Sequence, residues 1–198
     1  LLTGELATDH IDAQGSLLYD VRARRWSGEL CGLAGIPPAW LPPLVDPQAV
    51  VGRVTDAAAR ETGLPAGVPV VAGASDSAVE DYAAGAIEPG QCVVKLATAG
   101  NVNVMTAAPA PHRLTLTYSH VVPGLWYTVS ATNAAAVCLR WFRDAFLDGA
   151  PAGPRDSLYA ALDREAAGSP PGARGLFFHP YLQGERSPYW DPALRASF

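Results

Sequence analysis

Apolar and polar positions change rhythm along this chain near residue 66. Before it, apolar residues come in short clusters broken by prolines and charges, and residues 1–66 read as mainly helical with loops. Thr8 or Asp9 is placed to cap a short helix, with Leu17, Leu18 and Tyr19 supplying apolar positions. The string GIPPAWLPPLVDP is too rich in proline for regular helix. A short strand is expected over residues 50–54, then a helical turn from Thr55 that Gly63 would end. LPAGVP reads as a linker and the domain boundary.

Beyond the linker the apolar runs lengthen. VPVVAGASD reads as a buried strand delivering Asp76 at its tip. SAVEDYAAGA reads as a helix with Ser77 as N-cap and Glu80 completing a capping box. CVVKLATAGNVNVMT predicts a strand, a tight turn at residues 97–100 and a second strand. RLTLTYSHVVPGLWYTVSAT predicts two alternating strands around Pro123 and Gly124. NAAAVCLRWFRDAFL is an amphipathic helix with Asn133 as candidate cap, and a further helix ends at Gly168. ARGLFFHPYLQGERSPYWDP is expected to be a short buried strand followed by a loop. This order indicates an α/β or mixed-sheet domain.

Composition narrows the classes. Of 198 residues, 49% are hydrophobic and 17% charged, enough for a sizeable core. A net charge of −5 argues against a nucleic-acid partner, and the trio Arg22, Arg24 and Arg25 suits a solvated face. There is no stretch of about 18 apolar residues to span a membrane, and no signal peptide. Cys31, Cys92 and Cys138 show no paired spacing, Cys92 and Cys138 reading as small buried hydrophobes of a reducing cytosol. His10, His112, His120 and His179 lack metal-ligand spacing. The chain starts without methionine, and both ends read as cut, so a part of a longer protein is expected.

Two features could carry chemistry. Asp76, flanked by Gly73, Ala74 and Ser75, has room beside it for a ligand. A carboxylate there could accept the proton of an attacking alcohol, or could simply cap the following helix. The turn in KLATAGNVN exposes backbone N–H groups and the Thr98 hydroxyl, which could hold phosphate oxygens or close an ordinary hairpin. Lys95 reads as structural, and Glu185 with Arg186 as an ion-pair or packing device in an aromatic loop. No G-x-x-x-x-G-K-[ST] string occurs.

Taken in order, TDHIDAQGSLLYDVRARRWSGEL, LPPLVDPQAVVGRVTDAAARETGLPAGVPVVAGASDSA, GAIEPGQCVVKLATAGNVN and PYLQGERSPYWDP resemble the FGGY family of carbohydrate kinases, xylulokinase-type members above all. The resemblance covers essentially the whole chain. It implies an α/β fold of the actin-like ATPase (ribonuclease H-like) kind. Residues 1–66 would be the C-terminal part of the family's N-terminal domain, and residues 67–198 the N-terminal part of its C-terminal domain. It implies transfer of the ATP γ-phosphoryl group, with Mg2+, to a hydroxyl of a sugar, D-xylulose or another pentulose first. Asp76 would be the catalytic base and would touch the sugar together with Ser77. Thr98, Ala99 and Gly100 would contact the nucleotide. A cytoplasmic enzyme with sugar and ATP as partners is expected, a homodimer being one assembly to test. The fragment alone is expected to be inactive.

The pattern departs from the family at several points. Ala97 replaces a glycine and Ala99 a serine, so backbone donors survive while one hydroxyl is lost. Ser77 stands where Asn or Gln is usual, and Glu80, Asp81 and Tyr82 stand where small residues are common. The alternatives are a non-catalytic truncated remnant or binding module, or a kinase for another polyol or sugar acid such as glycerol or gluconate.

Overall fold

The structure, a computed structural model, describes residues 1–147 and 155–198. Two compact units emerge. The first comprises Leu1–Val93, Asn103–His112 and Thr117–Thr128, and the second Val94–Val102, Arg113–Leu116 and Val129–Phe198.

In the first unit, β1 (Thr8–Asp9) leads into α1 (His10–Gly15). The Asp9 carboxylate caps α1 by accepting from the Ile11 and Asp12 N–H groups. Strands β2 (Tyr19–Asp20) and β3 (Arg25–Trp26) form an antiparallel pair, followed by α2 (Gly28–Ala34), which Ser27 caps. The proline-rich stretch makes one 3-10 turn at Pro38–Trp40 before β4 (Leu44–Val45), which pairs in parallel with β1. Strand β5 (Val50–Arg53) precedes α3 (Asp56–Thr62), where Thr55 caps the start and Gly63, in the left-handed conformation, the end. Residues 1–66 are thus not mainly helical: five short strands interleave with three helices of six or seven residues.

Strand β6 (Pro69–Val71) pairs antiparallel with β5 and stops five positions before Asp76. It is not the buried strand expected. Its one neighbour is β5, and Val71 is left exposed. Gly73, at φ +80°, then turns the chain into α4 (Asp76–Ala83).

A four-stranded sheet has the order β7–β8–β10–β9 and runs through both units: β7 (Cys92–Leu96), β8 (Gly100–Thr106), β9 (Leu116–Ser119) and β10 (Trp126–Thr132). The predicted turns between β7 and β8 and at Pro123–Gly124 are present, Gly124 taking φ +79°. In the first unit Ile11, Met105, Leu125 and Tyr127 are buried with the alanines of α1, α3 and α4. Gln14 joins this core by bonding Ser119 twice, through its Nε2 to the hydroxyl and its Oε1 from the backbone N–H.

The second unit contains α5 (Ala136–Phe146) and α6 (Arg155–Ala167). Asn133 does not cap α5. The N-cap position is Ala135, without a side-chain bond, and Asn133 instead donates through Nδ2 to the Gly184 carbonyl. The buried strand expected near residue 176 is also absent: a 3-10 turn at Ala173–Gly175 is followed by isolated bridges, with Phe177 75% exposed. Without a paired neighbour strand, Leu176 and Phe177 stay exposed, while Phe178 packs its ring on Trp141 of α5 and on Phe198. Cys92 is likewise exposed and Cys138 half-buried, Cys31 being the buried one, and all three are free thiols.

Candidate active site

Asp76 and Ser77 belong to the first unit, and Thr98, Ala99 and Gly100 to the second.

Asp76 is the first residue of α4 and exposed. Its Oδ1 accepts from the Ser77 N–H at 2.6 Å, so one carboxylate oxygen is held against the first turn of the helix. Ser77 is therefore inside the helix rather than its cap, and the expected capping box is not formed. Ser75 holds the cap position without a side-chain cap bond.

Below Asp76, α4 is anchored by side chains. Asp81 is 1% exposed, and both its carboxylate oxygens accept from Asn103 Nδ2 on β8 at 2.9 Å. Burial pushes the Tyr127 phenol well above its usual pKa. Tyr82 meets the His120 ring, and His120 meets Tyr127 edge-on. Tyr82 also borders a cavity of about 420 Å³ lined on another side by Gly73 and Ala74. The residues at 80–82 thus have two distinct destinies: Asp81 is taken into the core and Tyr82 shapes a cavity wall.

A second carboxyl senses Asp76. Asp12, on α1, is raised above the usual carboxylate range by partial burial first, then by the Asp9 charge and bond, and also by the Asp76 charge. No group of three or more His, Cys, Asp or Glu able to hold a metal ion occurs among the described residues.

The turn in the second unit is built from backbone. The Ala97 N–H donates to the Ala99 carbonyl, and the Ala97 and Thr98 carbonyls accept from Ala136 and Ala135 at the start of α5. Among the described residues the Thr98 and Ala99 N–H groups make no hydrogen bond. Two successive N–H groups left open in a tight turn are the arrangement that binds anionic oxygens. Gly100 is required by space: a Cβ there would lie 3.1–3.2 Å from Ala135 Cβ, the Lys95 carbonyl and Thr132 Cγ2. Arg140, on α5, brings a guanidinium nitrogen to 3.5 Å from the Thr98 hydroxyl. Sequence reasoning passed over Arg140. The signal was its place on the polar side of an amphipathic helix that begins at the turn.

Glu185 does not serve its neighbour Arg186 as a side-chain ion-pair partner first. It is buried and accepts from the Thr132 hydroxyl and the Asn133 and Arg186 N–H groups, stapling its loop to the end of β10. The Ser187 hydroxyl donates to the Leu114 carbonyl nearby.

Residues 1–81 match the N-terminal domain of the FGGY family of carbohydrate kinases, and residues 92–198 its C-terminal domain. The chain is 32% identical over 198 residues to a xylulose kinase of Lactococcus lactis, covering all of this chain and 38% of that protein. The xylulose kinase of Rhodospirillum rubrum superposes with a TM-score of 0.88 at 34% identity, and a gluconate kinase of Lactobacillus acidophilus with 0.86 at 28%. Each match covers the whole of this chain and 39% of the other. The chain therefore spans well under half the length of these relatives, and its α/β architecture is a portion of their actin-like fold. With both domain patterns matched in order, this chain belongs to the FGGY family of carbohydrate kinases.

Proposed function

We propose that the full-length protein transfers the γ-phosphoryl group of ATP to a hydroxyl of a sugar, with Asp76 as general base. The observation that carries this reading is the exposed Asp76 carboxylate at the first turn of α4, one oxygen held by the Ser77 N–H. Asp76 takes the proton of the sugar hydroxyl as that oxygen attacks the γ-phosphorus, while the bond from that phosphorus to the bridging oxygen breaks and ADP leaves with it. General-base contributions of this kind are on the order of 10²–10⁴ in rate. Ser77 contributes a short hydroxyl to the sugar. The Thr98 and Ala99 N–H groups, the Thr98 hydroxyl and the Arg140 guanidinium receive phosphate oxygens, and Gly100 keeps the turn tight.

Magnesium bound with the ATP phosphates would supply charge neutralisation there; an ion of this kind takes one or two carboxylates besides phosphate oxygens and water. Asp12 and Asp76 would be the carboxylates to hold it, the Asp76 charge being one of the causes that raise Asp12. No helix among the described residues is long and apolar enough to cross a membrane, and a cytoplasmic location remains part of the proposal, as does the domain boundary after residue 66.

D-xylulose is the first substrate to test, since relatives in both comparisons are xylulose kinases. Gluconate is the second, from the gluconate kinase match. The test is sugar-dependent ATP consumption by the full-length protein and its Asp76→Asn variant. A fall of about 10³-fold in kcat with unchanged thermal unfolding supports the reading. Near-parental turnover in the variant removes Asp76 from the role. No turnover by the parent with pentuloses, gluconate or glycerol favours the remnant alternative. Thermal shifts with the same compounds rank the substrates, because a ligand that binds only the folded state raises its apparent stability.

A further inference from the structure

We infer that the first unit carries a second small-molecule site, one that takes a neutral polyhydroxylated molecule of sugar size. The inference does not rest on the role of Asp76.

The site is a cavity of about 410 Å³ formed within that unit. Ligand cavities of roughly 300–1,000 Å³ are lined mostly by apolar groups, with a few polar side chains that fix orientation. Here Ile11, Pro47, Leu125 and Trp126 supply apolar wall, while His10, Arg24, Asp46 and Gln48 supply polar groups. The polar groups arrive from separate places: His10 from α1, Arg24 from the turn between β2 and β3, and Asp46 and Gln48 from the chain after β4. Asp76 is not among the residues that line the cavity. Pro47, Gln48, Val121 and Pro123 also border the cavity beside Tyr82, so the two spaces share a wall.

Three of the polar groups form one cluster. Arg24 donates through Nη2 to Asp46 Oδ1 at 2.7 Å. His10 Nε2 stands 3.8 Å from the same oxygen, too far for a hydrogen bond. The other ring nitrogen, Nδ1, shares a hydrogen bond with the Tyr19 hydroxyl at 2.9 Å. Asp46 Oδ2 and the rest of the guanidinium make no hydrogen bond among the described residues. The cavity thus offers a carboxylate acceptor beside guanidinium donors and an open imidazole nitrogen.

Charge selects among ligands. Arg24 and Asp46 are the charged residues lining the cavity, and they cancel. Burial first, then the Arg24 charge, holds His10 below its ordinary pKa near 6.5 against the charges of Asp46 and Asp9, so its ring is uncharged at neutral pH. An anion would be opposed by Asp46 and a cation by Arg24. A hydroxyl both donates and accepts, so neighbouring hydroxyls of one molecule serve the carboxylate and the guanidinium together.

The probe is xylitol, with inorganic phosphate as the charged comparison. The reporter is the ring-nitrogen NMR signal of His10 in the full-length protein, identified as the one that His10→Gln removes. Xylitol is expected to shift this signal saturably, at a lower concentration than phosphate. The Asp46 side chain is 57% exposed, so Asp46→Asn spares the fold. It removes the acceptor charge and leaves Arg24 uncompensated. Half-saturation by xylitol should then need about tenfold more, and phosphate should become the better ligand. Asp76→Asn should leave the xylitol titration within about twofold of the parent, whatever it does to kcat. No saturable shift up to about 100 mM xylitol overturns the inference. Saturation of the parent by phosphate at an equal or lower concentration overturns it as well, because the cavity is then an anion site. So does loss of the shift in Asp76→Asn, because the signal then reports a sugar held at the proposed base. An Asp46→Asn titration within about twofold of the parent removes the assigned acceptor, and the inference with it. Should that variant fail to fold, the parent's preference between xylitol and phosphate decides alone.

Discussion

The first unit holds its chemistry with side chains and the second with backbone. Asp76 sits on a helix tied down by the Asp81–Asn103 pair, in a unit whose core also contains the Gln14–Ser119 pair. The turn of residues 97–100 is shaped by main-chain bonds from α5 and by the lack of room at Gly100. Its unit buries few large side chains: Val129, Ala131 and Ala134 are buried there, while Leu96 is 78% exposed. A backbone-built cradle tolerates changes of side chain. A carboxylate that must present one oxygen depends on the side chains around it, and substitutions there act on rate.

The sharpest break of this contrast is Glu185, a buried carboxylate stapling the second unit's loop. Glu185→Ala strips acceptors from the Thr132 hydroxyl and two N–H groups, and is expected to cost about 3 kcal/mol in denaturant unfolding. A cost below about 1 kcal/mol would show that the second unit does not depend on side-chain bonds even there. Next, Asn103→Ala removes both Nδ2 bonds to buried Asp81 and should cost about 2 kcal/mol, with catalytic loss following stability rather than exceeding it. Ala99→Ser restores one hydroxyl to the turn. One added neutral hydrogen bond, worth about 1 kcal/mol, should lower the KM for ATP about fivefold with kcat unchanged. No change in KM would place the nucleotide's oxygens on the backbone donors alone.

The smallest effect is on pH. Burial lowers the pKa of His120, and burial followed by the Arg24 charge lowers that of His10, against the opposing charges of Asp46 and Asp9. Both folded values lie below the ordinary value near 6.5, so the unfolded chain binds more protons in that window. The stability these residues contribute is fully present above about pH 6.5 and is lost as pH falls through the lowered values. Replacing both histidines with Asn should flatten the decline in unfolding temperature between pH 6.5 and 5. An unchanged decline would assign it to the carboxylates instead.

Local signals were readable where the partner lies nearby in sequence. Thr55 and Gly63 bound α3 as expected, and the alternating runs gave β7 to β10 with their turns. The fold family was legible from motif order. Reading failed where a distant partner competed for a side chain. Asn133 is bound to a residue 51 positions away, which no local cap rule anticipates. The run near residue 176 looked like a strand because apolar composition does not reveal whether a pairing neighbour exists. Asp76 itself was visible, but not what anchors its helix, since Asn103 is an ordinary strand residue until the sheet order is known.

The meeting of turn and helix has one more consequence. The Ala135 and Ala136 amides are closed off by the carbonyls of Thr98 and Ala97. Their amide protons can leave for solvent only when the turn lets go of the helix. A ligand gripping the turn would therefore slow isotope exchange at two alanines it never touches, so the occupancy of the cradle is written into the exchange clock of the next helix.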